Sequence, residues 1–133
     1  MKRLMLDTHV LLWAIGNSAE LSSRVAECIR NRENKIFVSA ISLWEISLKC
    51  SVRKLELSFA IEDIPKYCEQ IGFNLIPVMP LEALGFLKLP QKQNHKDPFD
   101  RMLIYQCISG RYSLLSRDEQ MKRYANDGLE CIW

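Results

Sequence analysis

Arg3-Leu4-Met5-Leu6-Asp7-Thr8-His9-Val10-Leu11-Leu12-Trp13 changes its hydrophobic pattern at Asp7. The residues before Asp7 form a short strand-like apolar run, and from Thr8 onward the spacing is helical. Asp7 itself is a residue type that caps helix starts. The same alternation recurs down the chain. Strands are predicted at residues 2–6, 35–39, 73–78, 113–116 and 129–133. Helices are predicted at residues 8–15, 20–32, 41–52, 61–71, 81–87, 98–109 and 117–124. Pro65 inside the fourth helical pattern predicts a late start or a kink there. Strands separated by helices imply an α/β protein, a compact α/β/α sandwich with a mostly parallel sheet. No linker, repeat or low-complexity tract divides the 133 residues, so a single domain over residues 1–133 is expected.

Composition narrows the function classes. With 48% hydrophobic and 26% charged residues, the chain has the balance of a soluble globular protein. Lys2 and Arg3 precede an apolar run, but Asp7, Thr8 and His9 interrupt it and no small-residue cleavage site follows. No apolar stretch approaches the ~20 residues of a membrane helix. The expectation is a cytoplasmic protein without a membrane partner. The five cysteines (Cys28, Cys50, Cys68, Cys107, Cys131) are scattered and odd in number, as expected for reduced, structural thiols. His9 and His95 are remote from any cysteine pair, which argues against zinc. A net charge of +2 is too small to imply nucleic acid. Lys88, Lys92, His95 and Lys96, however, form a basic approach that runs into Asp97. Such an approach suits a phosphate polymer, and composition alone favours a solvated loop equally.

Four acids carry the chemistry: Asp7, Glu45, Asp100 and Asp118. Asp7 and Asp118 follow predicted strands, and Glu45 lies early in the helix after the second strand. In open parallel sheets ligands gather beyond these carboxyl ends. Each acid also has a purely structural explanation. Asp7 can cap the helix at Thr8, and Asp97-Pro98-Phe99-Asp100 has the form of a cap, a first-position proline and a first-turn acid. Ser116-Arg117-Asp118-Glu119 matches a capping box. Glu45 fits this scheme least well, because Leu43, Trp44 and Ile46 surround it with apolar bulk. On the narrow polar stripe of Ser42 and Glu45 its partner is either a metal ion or Lys49 four residues on. Capping is assigned to Asp97 and metal binding to Asp100. Clustered carboxylates repel and lose hydration, and a divalent cation removes that cost. Trp13, Trp44 and Trp133 are expected in the core or an interface.

The segment Leu4–Trp13 quoted above resembles the first motif of the PIN-domain family, in particular the toxin ribonucleases of VapBC-type toxin–antitoxin pairs. Val38-Ser39-Ala40-Ile41-Ser42-Leu43-Trp44-Glu45-Ile46 resembles the second motif of that subgroup. The third is matched by Leu89-Pro90 with His95-Lys96-Asp97-Pro98-Phe99-Asp100-Arg101-Met102-Leu103-Ile104. Leu114-Leu115-Ser116-Arg117-Asp118 with Tyr124 resembles the fourth. The resemblance implies that Asp7, Glu45, Asp100 and Asp118 hold Mg²⁺ or Mn²⁺, with Asp97 a supporting or alternative ligand. It places Thr8 and Ser39 at hydroxyl positions that contact water or phosphate, and makes Lys96 and Arg101 candidate substrate contacts. It further implies an endoribonuclease acting through metal-activated water, a small antitoxin partner over an apolar groove near Trp13 and Trp44, and a homodimer.

Rivals of other kinds are weaker. A phosphoacceptor receiver pairs adjacent acids after its first strand, where Thr8 stands here. A phospho-aspartate phosphatase carries a second Asp two residues after the first, where His9 stands. A catalytically inactive PIN-fold binding module, or a PIN nuclease of RNA processing or DNA cleavage, remains the alternative.

Overall fold

The structure is a computed structural model that describes residues 1–16 and 18–133. Its strands are β1 (Arg3–Leu6), β2 (Lys35–Ser39), β3 (Asn74–Ile76), β4 (Ser113–Leu115) and β5 (Cys131–Ile132). They form one parallel sheet in the order β3-β2-β1-β4-β5. The α/β sandwich expected from the alternating pattern is thus the observed architecture. The helices are α1 (Thr8–Ile15), α2 (Ser23–Arg30), α3 (Ala40–Ser51), α4 (Ile64–Ile71), α5 (Pro80–Gly85) and α6 (Pro98–Gly110). Among the described residues no helix is long and apolar enough to cross a membrane.

The period-two alternation of β1 divides the core. Leu4 and Leu6 pack with Val10 and Leu11 of α1, Val25 of α2, Ile46 of α3, and Ile64 and Cys68 of α4. Met5 points to the opposite side and packs with Leu103, Ile104 and Cys107 of α6, and with Met121 and Tyr124. Buried on both sides, β1 has no polar position between Leu4 and Leu6, as a central parallel strand requires.

Differences from the expected boundaries have local causes. The 61–71 pattern begins as a 3₁₀ turn (Ile61–Asp63), and the regular helix starts only at Ile64. Pro65 lacks an N–H, and its ring would clash with the carbonyl of Ile61 in a continuous α-helix. The second helix is shorter than residues 20–32, because Ser22 caps it by accepting from Val25 N at 3.1 Å. The 117–124 pattern is a 3₁₀ helix (Glu119–Asp127). The expected Ser116–Glu119 capping box does not form: Asp118 is the cap, accepting from Gln120 N at 2.9 Å, while Ser116 Oγ accepts from Asp118 N.

Order β3-β2-β1-β4-β5 reverses its direction of growth beside β1. The chain builds outward through β2 and β3, then crosses back to place β4 on the other side of β1. The carboxyl ends of β1 and β4 therefore flank the crevice where such sheets bind ligands. Asp7 N donates to Leu115 O at 3.0 Å, extending this ladder to the crevice.

Helix α4 ends at Gly72, whose φ of 94° is left-handed and whose N–H returns to the carbonyl of Cys68. There is space for a Cβ but not the backbone conformation for one. Gly72→Ala is expected to lower stability by about 1 kcal/mol without altering the sheet, measured by urea unfolding and circular dichroism.

Candidate active site

Beyond the carboxyl ends of β1 and β4 lies a cavity of about 320 Å³ whose wall carries Asp7, Glu45, Asp97, Asp100 and Asp118. The structure thus brings all five proposed ligand residues to one place. They come from the starts of three helices and the middle of a fourth. Asp7, Asp97 and Asp118 are the caps of α1, α6 and the 3₁₀ helix, so the turns that start these helices also aim them at the crevice. Asp97 accepts from Phe99 N at 2.8 Å and from Asp100 N at 3.1 Å, the capping role assigned to it from sequence. Asp100 follows in the first turn of α6, and Glu45 comes from the middle of α3.

Most of these oxygens already have partners. Asp7 accepts from Thr8 N and from the Ser116 hydroxyl, a bond that ties β1 to β4. Glu45 is buried, and it accepts from the Thr8 hydroxyl at 2.6 Å and from Lys49 Nζ at 2.5 Å. Lys49 is therefore the partner that Glu45 has in this structure. The hydrogen bond to Glu45 pushes the Lys49 ammonium above its ordinary value, with the charges of Glu45, Asp97 and Asp100 assisting. Asp100 Oδ2 lies 3.3 Å from His95 Nε2.

Burial and crowding act most strongly on Asp100. Desolvation, followed by the charges of Asp97, Asp7, Glu45 and Asp118, pushes its carboxyl from 3.8 up to about 8. Burial also raises Asp7, against the lowering effect of its Ser116 and Thr8 hydrogen bonds. His95 is lowered, chiefly by desolvation.

An all-oxygen donor set in a cavity with room for water has the chemistry of a Mg²⁺ or Mn²⁺ site, since such ions prefer carboxylates and keep much of their hydration. Desolvation first, and the four neighbouring carboxylates second, raise Asp100 to about 8, and a cation among these acids would offset the second of these effects. Among the described residues, however, no three His, Cys, Asp or Glu side chains are gathered as a ready-made metal group. The acids fit an ion by chemistry and location, and Glu45 would have to exchange Lys49 for it.

Three residues expected to touch substrate are placed elsewhere. Ser39 is buried off the cavity wall; its hydroxyl caps α3 by accepting from Ile41 N and donates to Gln106 Oε1. Arg101 is 3% exposed and is not part of the cavity wall; its guanidinium donates to the carbonyls of Leu89 and Pro90 and to the hydroxyl of Tyr124. Lys96 is exposed but does not line the cavity. Lys92 of the same basic stretch pairs with Asp127 at 2.8 Å. Thr8 does line the cavity, with its hydroxyl on Glu45. The basic groups at the rim are His9 and Arg117, beside Trp13. The sequence reading did not anticipate that Ser116 would hold Asp7 or that His95 would face Asp100. The first pairing joins residues 109 apart, and no local pattern reports it.

The PIN domain family profile matches residues 4–127, nearly the whole chain. The chain belongs to the PIN-domain family. Ribonuclease VapC22 of Mycobacterium tuberculosis is 20% identical, with all of both chains covered. Among solved structures, VapBC2 of Rickettsia felis bound to a promoter DNA fragment has a TM-score of 0.68 at 19% identity, covering 98% of this chain and 97% of that one. DNA-bound VapBC of Salmonella typhimurium has a TM-score of 0.66 at 18% identity, covering 99% and 98%. At these identities the structures establish that the PIN fold is shared.

This PIN domain should show a pH-dependent penalty from Asp100. Its folded carboxyl holds a proton up to about pH 8, whereas the unfolded one loses it near 3.8. Stability therefore falls as pH rises between these values and levels off above them. Asp100→Asn removes the penalty. Without divalent ions, thermal unfolding of the variant should match the parent below pH 4 and exceed it by on the order of 1–3 kcal/mol at pH 9. Ser39→Ala should cost about 1–2 kcal/mol in urea unfolding, through loss of a helix cap and a buried hydrogen bond.

Proposed function

We propose that this PIN domain is a metal-dependent endoribonuclease, the toxin of a type II toxin–antitoxin pair. The observation that carries the reading is the convergence of Asp7, Glu45, Asp97, Asp100 and Asp118 on one cavity at the switch point of the sheet. Its support for RNA is the similarity, over the full length, to a protein named as a ribonuclease.

Asp7, Glu45, Asp100 and Asp118 would hold Mg²⁺ or Mn²⁺, with Asp97 beside them. Bound there, the ion supplies the positive charge needed to activate water and to neutralise a phosphodiester in hydrolysis. The protein's own groups prepare the site. Thr8 holds one oxygen of Glu45, and Ser116 holds one oxygen of Asp7, so neither carboxylate swings freely. Lys49 shields Glu45 and is the cation nearest to the acids when no other is present. At the rim, Arg117 is 54% exposed and bonded to Glu20, an exposed pair worth little and readily exchanged for a phosphate. His9 is exposed and lines the same cavity, where its ring nitrogens can hydrogen-bond a phosphate beside Arg117.

The antitoxin partner is supported by the solved VapBC neighbours and by an apolar groove of about 470 Å³. Ile41, Trp44, Phe86, Phe99 and Met102 line it, and Trp44 is 61% exposed with its ring against Phe99. An apolar segment of an antitoxin would cover this groove while its chain continues over the acidic cavity. Homodimerisation through the exposed apolar residues Leu81, Leu84 and Leu87 completes the reading, and the cytoplasm is the compartment it requires.

Purified parent should cleave single-stranded RNA with Mg²⁺ or Mn²⁺ and stop on chelation. Asp7→Asn and Asp100→Asn should each lower the rate more than ~100-fold, beyond the effect usual for losing a group that only supports a ligand. Equal cleavage by Asp7→Asn and parent would sink the proposed site. Absence of both Mn²⁺ binding heat and cleavage by the partner-free parent would favour an inactive binding module instead.

A further inference from the structure

Behind Asp100 runs a relay of buried polar groups from three parts of the chain. Arg101 of α6, Tyr124 of the 3₁₀ helix and His95 of the preceding loop are all buried. Arg101 Nη1 lies 3.1 Å from Tyr124 Oη, Tyr124 Oη lies 2.8 Å from His95 Nδ1, and His95 Nε2 lies 3.3 Å from Asp100 Oδ2. The direction of each bond follows from counting protons. A guanidinium has donors only, so the Tyr124 oxygen accepts from Arg101. The hydroxyl proton of Tyr124, fully buried, then requires an acceptor, and the other atom bonded to that oxygen is His95 Nδ1. An accepting Nδ1 carries no proton. The neutral ring bears its proton on Nε2, facing Asp100.

We propose that Tyr124 and His95 are positioning residues for Asp100: Tyr124, anchored by Arg101, selects the His95 tautomer whose Nε2–H holds Asp100 Oδ2 and leaves Oδ1 available to a ligand in the cavity. Histidines that bind metals directly are oriented by the partner of their second nitrogen, and here the same principle acts one step removed, through a histidine on a carboxylate. Arg101 is the fixed end of the relay. Its two carbonyl partners, Leu89 and Pro90, and the ring of Phe86, 5.3 Å from its guanidinium carbon, leave it no other orientation without breaking buried bonds. This inference deepens the nuclease reading and rests on it for the use made of Asp100, but the tautomer does not depend on that reading.

The test uses the full-length protein with ¹⁵N-labelled histidine, free of metal, in long-range ¹H–¹⁵N spectra, with His95→Asn assigning the signal. The parent should show His95 protonated at Nε2 and unprotonated at Nδ1, and Tyr124→Phe should shift the ring toward a mixture or the Nδ1–H form. Mn²⁺ alone, titrated by calorimetry, should bind Tyr124→Phe ~10-fold more weakly. In RNA cleavage the loss should fall on kcat with KM unchanged. His95→Gln, whose amide lies near the place of Nε2, should retain more Mn²⁺ affinity than His95→Asn, whose amide lies near that of Nδ1. This pair decides the question even where Tyr124→Phe unfolds. A parent ring protonated at Nδ1 or at both nitrogens overturns the proposal. So does an unchanged tautomer and Mn²⁺ affinity in Tyr124→Phe, or equal affinities for the two His95 variants. A parent that shows the Nε2–H tautomer, loses it in Tyr124→Phe, yet takes up no Mn²⁺ and cuts no RNA would refute the nuclease reading while supporting the relay.

Discussion

Burial of carboxylates that cannot leave one another is the constraint on which the rest of this site depends. Asp7, Asp97 and Asp118 are immobilised as helix caps, and Glu45 is held by Thr8. Asp100 has no such role, and its desolvation by burial, followed by the charges of its neighbours, lifts its carboxyl from 3.8 to about 8. The fold answers with Lys49 on Glu45 and the Ser116 hydroxyl on Asp7, and both responses are partial. A crowded acidic cavity costs stability unless a cation enters it. That cost makes the cavity, rather than any single acid, the meaningful unit.

The acids have double duties, and the sheet topology explains why they are compatible. Each strand that ends at the crevice must start a helix there, and helix starts favour short acceptor side chains. A parallel sheet thereby collects caps along one edge. At the switch point between β1 and β4 the caps face an open crevice instead of a neighbouring connection. The capping explanation and the ligand explanation for Asp7 and Asp118 are thus not competitors. Asp97 shows where the two duties separate: one of its oxygens serves two backbone N–H groups, while Asp100, one turn on, has no backbone duty of that kind.

Residues beside the motif acids divide in a way that their spacing does not reveal. Arg101 and Asp100 are adjacent in sequence but differently placed: Asp100 lines the cavity, whereas Arg101 is buried off its wall. Adjacent residues on a helix project about 100° apart, so one of a neighbouring pair is readily turned inward. Arg101 tolerates burial because two carbonyls, a hydroxyl and an aromatic ring surround it. Ser39 follows the same logic, buried with its hydroxyl between Ile41 N and Gln106.

Local chemistry determined much of this protein. The alternation of β-leaning runs with helical spacing specified an α/β sandwich, Pro65 marked the late start of α4, and the order of motif acids pointed to one edge of the sheet. These are properties of short segments, set by backbone sterics, capping and periodicity. Only the tertiary structure decided that Ser116 meets Asp7, that Thr8 holds Glu45, and that His95 stands between Tyr124 and Asp100. It also decided that Ser116 bridges strands instead of forming a capping box with Glu119. Such pairings join residues from different strands and helices, and their energies come from burial and desolvation, which no stretch of sequence possesses until the sheet has closed around it.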